Sequence, residues 1–399
     1  MNLDREMSRY LVIDEESIRN SLKKIDRNDE GIAVCVDASG ILLGVLTDGD
    51  IRRWMIAEKS PDLDQPVSQV INRNFVSARI TDDAARIADR FGQNVHVIPL
   101  TDSDGRCVAI ARPRDAPFAM GDRKIGPGKP CFVIAEIGIN HNGSLDRAFE
   151  MIDAAVEAGA DCVKFQLRDL STLYSNAGDA ADPREDLGSQ YTLDLLTRYQ
   201  LTVDEMFQAL DRCSERGVIP LVTPWDVVSM NYLEEYGILG YKTASADFTN
   251  HPFLHTLSTT GKPLICSTGM TSESEIRESV NLLISRGCQF ALLHCNSTYP
   301  APFKDINLRY METLRDIGSC PTGYSSHDRG INVSIAAVAL GADIVEKHFT
   351  LDKTMEGNDH RVSLLPNEFT NLIAGIREVE ESMGLLKTRE VTQGEMMNR

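Results

Sequence analysis

From Cys131 onward short apolar runs recur with amphipathic segments between them, so the chain reads as an alternation of strand and helix. The runs are FVIAEIG (132–138), CVKFQL (162–167), VIPLVTP (218–224), YKTAS (241–245), PLICST (263–268), FALLHC (290–295), TGYSS (322–326) and IVEKHF (344–349). The stretches LDRAFEMIDAAVEAG, SESEIRESVNLLISRG and INVSIAAVALG place apolar residues at helical spacing and end at glycine, a frequent helix terminator. Such alternation, repeated over roughly 250 residues, predicts an α/β fold of the (β/α)8 TIM-barrel type, closed by a last helix at PNEFTNLIAGIREVEESMG. An open doubly wound sheet is the competing architecture, but no glycine-rich dinucleotide loop follows the first run.

The first 118 residues follow a different grammar. GIAVCVDASGILLGVLTDGDIRRWM (31–55) reads as strand, turn, strand and helix, and NVHVIPLTDSDGRCVAIARPRD (94–115) repeats the strand, turn and strand. An internal repeat in a small α+β domain over 1–118 is expected. The Pro/Gly-rich stretch RPRDAPFAMGDRKIGPGKP breaks all periodicity, and 119–130 reads as a linker to a larger domain over 131–385.

Composition narrows the function classes. With 399 residues, 42% of them hydrophobic, the chain can bury two cores. A net charge of −18 argues against nucleic acid or an anionic membrane surface as a partner, since either would be repelled. Apolar runs such as SIAAVALGA fall short of the roughly 18 residues a membrane span requires, and MNLDREMSRY has no signal-like apolar region. Nine cysteines without CxxC spacing point to reduced thiols and no disulfides, and cytoplasmic residence is the expectation.

In a closed barrel, reactive groups gather where strands end, because polar groups deeper in the wall would be unpaired. Every predicted strand here ends in polar chemistry: Glu136, Asn140 and His141; Lys164 and Gln166; Thr223; Lys242 and Ser245; Ser267; Ser297 and Tyr299; Ser325 and His327; Glu346, Lys347 and His348. Two imidazoles converging from adjacent strands suit an exchangeable divalent ion of the Mn²⁺, Co²⁺ or Mg²⁺ type, with coordination positions left open for water and substrate. Lys164, Lys242, Thr223, Ser245 and Ser267 assemble positive charge and hydroxyl donors suited to a small molecule bearing phosphate and carboxylate. Glu136 is the expected general acid or base, and an ion pair with Lys164 is its structural alternative.

At these residues the second domain resembles the sialic acid synthase family. The motifs are AEIGINHNG (135–143), VKFQ (163–166), TPWD (223–226), KTAS (242–245), STGM (267–270), HCNSTYP (294–300) and EKHF (346–349). The resemblance implies condensation of phosphoenolpyruvate with the open-chain aldehyde of an N-acylated hexosamine, releasing inorganic phosphate. His327 and His348 would hold the metal, and Lys164, Thr223, Lys242, Ser245 and Ser267 the phosphoenolpyruvate. Gln166, Ser297, Tyr299, Ser325 and Asp359 would contact the sugar or complete the phosphate site, and Glu136 would manage protons. It also implies a homodimer or higher homo-oligomer, and a small antifreeze-like C-terminal domain for which 386–399 reads as the leading linker. Ser326 stands where many relatives carry Asp.

The first-domain repeats resemble the tandem CBS module, on the strength of GVLTDGDIRR. Thr47 and Asp50 would then contact a regulatory adenine nucleotide, while Ala111 to Arg114 replace the equivalent residues in the second copy. Two other functions remain open at this point: a Schiff-base keto-acid aldolase using Lys164 or Lys242 on the same barrel, and a nucleotide-sensing protein whose barrel is inactive.

Overall fold

The computed structural model describes residues 2–28, 30–92, 95–113, 116–173, 196–357, 359–384 and 391–397. These divide after Ala116 into two compact units.

In the first unit the internal repeat is real. Leu11–Ile13 pairs parallel with Ile32–Val36, which pairs antiparallel with Leu42–Thr47. Ala78–Arg79, Ile98–Thr101 and Cys107–Arg112 repeat that parallel-then-antiparallel order, and Asn2–Asp4 adds an edge strand to the second sheet. Buried Val12, Ala33, Cys35 and Leu46 on the strands pack against the amphipathic helix Ile18–Asn28, whose Ile18 and Ile25 are buried.

All eight strands predicted for the second unit form, and they close into a parallel barrel. They are β1 (Phe132–Gly138), β2 (Cys162–Leu167), β3 (Ile219–Pro224), β4 (Tyr241–Thr243), β5 (Leu264–Ser267), β6 (Phe290–Cys295), β7 (Thr322–Ser326) and β8 (Ile344–His348). Strand periodicity of two sorts their residues. Phe132, Ile134, Cys162, Leu221, Ile265, Ala291, Leu293 and Ile344 fill the barrel interior, while Val133, Val163, Val222, Tyr241, Leu292, Tyr324 and Val345 face the helical layer.

One expectation needs correction. Within the segment read as a linker, Phe118–Met120 and Arg123–Ile125 form a two-stranded hairpin of the barrel unit. Its Phe118, Met120 and Ile125 are buried against the interior residues of the strands and close the end of the barrel away from the site. Prolines and glycines masked the period-two signal of three-residue strands, which is too short to read from sequence. Among the described residues no helix is long and apolar enough to cross a membrane, and the nine cysteines are buried thiols outside any disulfide.

Candidate active site

The inward rows that are apolar at the plugged end become charged at the other. On β8, Ile344, Glu346 and His348 share the inner face, whereas Val345 and Lys347 face out. Glu136 of β1 is in register with both Lys164 of β2 and His348 of β8, and Ser325 of β7 with Glu346. These pairings bring the groups into a cavity of about 450 Å³, the size of a small-ligand pocket.

Eleven residues expected in the site besides Ser325 and Asp359 line this cavity: Glu136, Lys164, Gln166, Thr223, Lys242, Ser245, Ser267, Ser297, Tyr299, His327 and His348. Asp359 lines it too, with Oδ2 3.8 Å from His348 Nδ1. Ser325 does not line it: its hydroxyl donates to Glu346 Oε1 at 2.9 Å, so it supports the wall. Asn140 and His141 also turn away, Asn140 donating to the Phe349 carbonyl at 2.9 Å and His141 packing beside Phe165.

Glu346 is the residue whose place was underread. As one of three polar residues closing β8 it had no role assigned, although the alternation of IVEKH places it with His348. It lies 3.4 Å from Lys164 Nζ and 4.0 Å from Lys242 Nζ. Lys164 is also 3.2 Å from Glu136 Oε2. The lysines are therefore paired with carboxylates, and the ion pair of Glu136 with Lys164 offered as a structural alternative is present. Arg168 and Trp225, stacked 4.3 Å apart, also line the cavity without having been singled out. Gly269 has a steric role: a Cβ there would lie 2.5 Å from Ser297 Oγ and 2.8 Å from Ser245 Oγ. Loop residues such as 169–190, on which the sequence leaves the choice between one hexosamine and another to depend, lie largely outside the described residues.

The buried carboxylates behave differently. Burial pushes Glu136 up to about 7 against the opposing pull of Lys164. Glu346 is also buried, but Lys164 and Lys242 overcome that penalty and hold it well below the usual carboxylate range. Burial lowers Lys242, whereas Glu136 and Glu346 outweigh burial to keep Lys164 charged. Gln166 Nε2 donates to Glu136 Oε1 at 2.8 Å, and Lys242 Nζ donates to Ser267 Oγ at 2.5 Å. One carboxylate is thus poised to exchange a proton near neutral pH, and its neighbour is a fixed charge.

At the opposite wall the His327 and His348 ring centroids are 5.4 Å apart. His327 Nδ1 contacts the Asn296 carbonyl at 2.7 Å, and Tyr299 stacks on the ring at 4.0 Å. His348 Nδ1 is buried without a hydrogen-bond partner, and burial lowers this imidazole to about 4, leaving it neutral. Two adjacent imidazoles, one with an unsatisfied buried nitrogen, fit a divalent ion whose remaining ligands come from water or substrate. Among the described residues no cluster of three or more His, Cys, Asp or Glu side chains is arranged for a metal, so a closed structural site is not what they build.

The NeuB family model matches residues 151–388, more than half of the chain. The chain belongs to the NeuB family. A CBS domain model matches residues 67–116, covering the second of the two repeats. The N,N'-diacetyllegionaminic acid synthase of Campylobacter jejuni is 38% identical over 64% of this chain and 78% of its own length. The N-acetylneuraminate-9-phosphate synthase of Homo sapiens is 36% identical over 66% of this chain and 74% of its own. Among solved structures, the N-acetylneuraminic acid synthetase of Leptospira borgpetersenii in complex with citrate superposes with a TM-score of 0.65 at 32% identity, covering 71% of this chain and 95% of that one. A truncated 3-deoxy-D-arabino-heptulosonate 7-phosphate synthase from Thermotoga maritima shares the barrel fold at 17% identity, with a TM-score of 0.53. The NeuB barrel thus carries the charged end described here on strands that the motifs had already marked.

Proposed function

We propose that this chain is a nonulosonic acid synthase of the sialic or legionaminic type, condensing phosphoenolpyruvate with the aldehyde of an N-acylated hexosamine and releasing phosphate. The observation that carries the reading is the joining of two ligand sets in one cavity: a lysine and hydroxyl wall at Lys164, Lys242, Thr223, Ser245 and Ser267, and an imidazole pair at His327 and His348. Resemblance to legionaminic and sialic acid synthases supports the substrate class.

On this reading Lys164 and Lys242 pair with the phosphate and carboxylate of phosphoenolpyruvate. Thr223, Ser245 and Ser267 donate hydroxyl hydrogen bonds, as charge-assisted recognition of such an anion requires. His327 and His348 hold a divalent ion, Mn²⁺ by preference, which supplies Lewis-acid polarisation of the aldehyde oxygen when bound. The methylene carbon of phosphoenolpyruvate bonds to the aldehyde carbon, whose oxygen takes up a proton to become a hydroxyl; water adds at C2 with loss of a proton, and the C2 hydroxyl yields its own proton to the departing phosphate as the C–O bond breaks and the keto group forms. Glu136, held protonatable near neutrality, takes the proton from that water; Gln166 fixes its orientation through the 2.8 Å hydrogen bond. Gln166, Ser297, Tyr299 and Asp359 orient the sugar chain. The fixed charge of Glu346 keeps the two lysines from repelling one another.

Phosphate release from phosphoenolpyruvate in the presence of Mn²⁺ tests the proposal, with N-acetylmannosamine and its 6-deoxy diacetamido analogue as acceptors. In ¹⁸O-water the label should enter the sugar acid at C2 and be absent from phosphate. Release that depends on neither acceptor, or label in phosphate, would overturn it. The Schiff-base alternative requires a neutral lysine. Lys164 is held charged between two carboxylates, whereas burial lowers Lys242, so the aldolase would have to use Lys242; on the synthase reading borohydride with pyruvate leaves no adduct at either lysine. The resemblance adds a homodimer or higher oligomer, which light scattering of the purified chain would register.

The first unit adds a regulatory reading. Thr47 and Asp50 line a cavity of about 720 Å³ that an adenine nucleotide would fill. They also cap the helix Asp48–Ala57 reciprocally, with Thr47 N donating to Asp50 Oδ2 at 2.9 Å and Asp50 N to Thr47 Oγ1 at 3.3 Å.

A further inference from the structure

Behind the imidazole pair, on the outer side of the barrel wall, lies a polar cluster that the proposed chemistry does not use. Lys347 and Asp328 have no solvent exposure. Lys347 Nζ donates to Ser326 Oγ at 2.6 Å and to the Asp328 main-chain carbonyl at 2.5 Å, and lies 3.9 Å from Asp328 Oδ2. Asp328 Oδ1 accepts from both Ser326 Oγ and Tyr324 OH at 2.7 Å. A buried ion pair in this position is not explained by stability, because apolar residues of similar volume are commonly as stable or more so. Its placement in the sequence is the informative feature. Ser326 and Asp328 flank His327, Lys347 directly precedes His348, and Ser326 and Lys347 are register partners across β7 and β8.

We propose that Lys347 and Asp328, joined through Ser326 and Tyr324, are positioning residues that fix the spacing and orientation of His327 and His348 as a divalent-cation pair. This rests on the metal reading above. The physical basis is strand geometry: a side chain anchored on the outer face holds the backbone of the next residue, whose side chain must then point inward. His327 lies just beyond β7, where the strand ladder has ended and the Ala301 amide, donating to the His327 carbonyl at 3.0 Å, holds its backbone on the loop side. The ring is held on the cavity side by the Asn296 carbonyl and by stacking with Tyr299, and the three bonds to Asp328 supply the anchor on the far side of the imidazole. Two ligands leave most of a metal's coordination to water and substrate, so affinity depends steeply on how well those two are preset.

The experiment is Mn²⁺ binding to the full chain, read from the electron paramagnetic resonance signal of free Mn²⁺, alongside melting of the metal-free protein and steady-state kinetics. Three variants are compared with wild type: K347M/D328N, which removes both charges while keeping volume; S326A, a milder change; and H348A, the control for the metal reading. We expect H348A to abolish binding, K347M/D328N to weaken it about 10- to 100-fold, and S326A to weaken it severalfold. The metal-free melting temperature of S326A should fall by a few degrees at most, the cost of the two lost hydrogen bonds, and its KM for phosphoenolpyruvate at saturating Mn²⁺ should stay within twofold. Should the double variant fail to fold, S326A decides alone. Wild-type Mn²⁺ affinity in S326A, or in a folded double variant, would overturn the positioning role while leaving the metal reading intact. Absence of Mn²⁺ binding by wild type, or its retention in H348A, would overturn both.

Discussion

Glu136 and Lys164 occupy the same level of neighbouring parallel strands, with carboxylate and ammonium 3.2 Å apart in a wall where they are 1% and 4% exposed. Lys164 shares its charge with Glu346 at 3.4 Å. One lysine therefore sits between two carboxylates, and which of them carries the proton sets the reactivity of the site.

Glu136→Gln removes the exchangeable proton but keeps the shape and the contact with Gln166. The kcat for phosphate release should fall about 10²- to 10⁴-fold, the usual range for loss of a general base, with KM for phosphoenolpyruvate changed far less. Steady-state kinetics on the folded variant separates these. A large KM rise at constant kcat would make Glu136 a ligand contact instead.

The pH profile follows from the same residue. A base must be ionised to accept a proton, and burial raises Glu136 to about 7. The kcat/KM should therefore rise with pH through that region and flatten above it, and the limb should vanish in Glu136→Gln. Activity that falls over the same range would make this carboxyl a donor.

The two lysines should part company under substitution. Lys164→Met leaves Glu136 and Glu346 buried without their common cation, and should cost about 3–5 kcal/mol in urea unfolding of the barrel. Lys242→Met removes a cation whose nearest carboxylate is 4.0 Å away, so its stability cost should be small. Its KM for phosphoenolpyruvate should rise at least about tenfold, corresponding to one lost charge-assisted contact.

Removal of divalent ions by chelation should abolish phosphate release, and Mn²⁺ should restore it. His327→Ala and His348→Ala should each be insensitive to that restoration. Rates measured before and after gel filtration with a chelator decide this.

His141 makes stability fall in mild acid. Its folded-state value is lowered by burial to about 4, against 6.5 when unfolded. The unfolded chain thus binds the proton first as pH falls. This contribution is complete above about 6.5 and is lost progressively toward 4, amounting to about 3 kcal/mol. Urea unfolding at a series of pH values should show the slope, reduced in His141→Gln.

Nucleotide binding at the first unit is checked by calorimetry with AMP and ATP. Asp50→Ala should abolish it, and since that change also removes one capping bond, helix content by circular dichroism separates the two effects.

The amino-acid sequence by itself determined the barrel, its eight strands and nearly every residue of its charged end. A period-two pattern ending in polar residues has one stable disposition in a closed sheet: apolar rows inside, and chemistry where the rows run out. It also determined the repeat in the first unit, because a parallel strand followed by an antiparallel hairpin needs the same turn residues twice. What only the tertiary structure decided is which charges meet. Register between strands distant in sequence set Glu136 against Lys164 and placed Glu346 between two lysines, which no single strand reveals. The same register set Ser325 on the inner face as a hydrogen-bond donor to Glu346, off the cavity surface, and sent Lys347 to the back of the wall. Tertiary packing also turned 118–125 from an apparent linker into the plug of the barrel, since three-residue strands acquire their meaning only from the interior they cover.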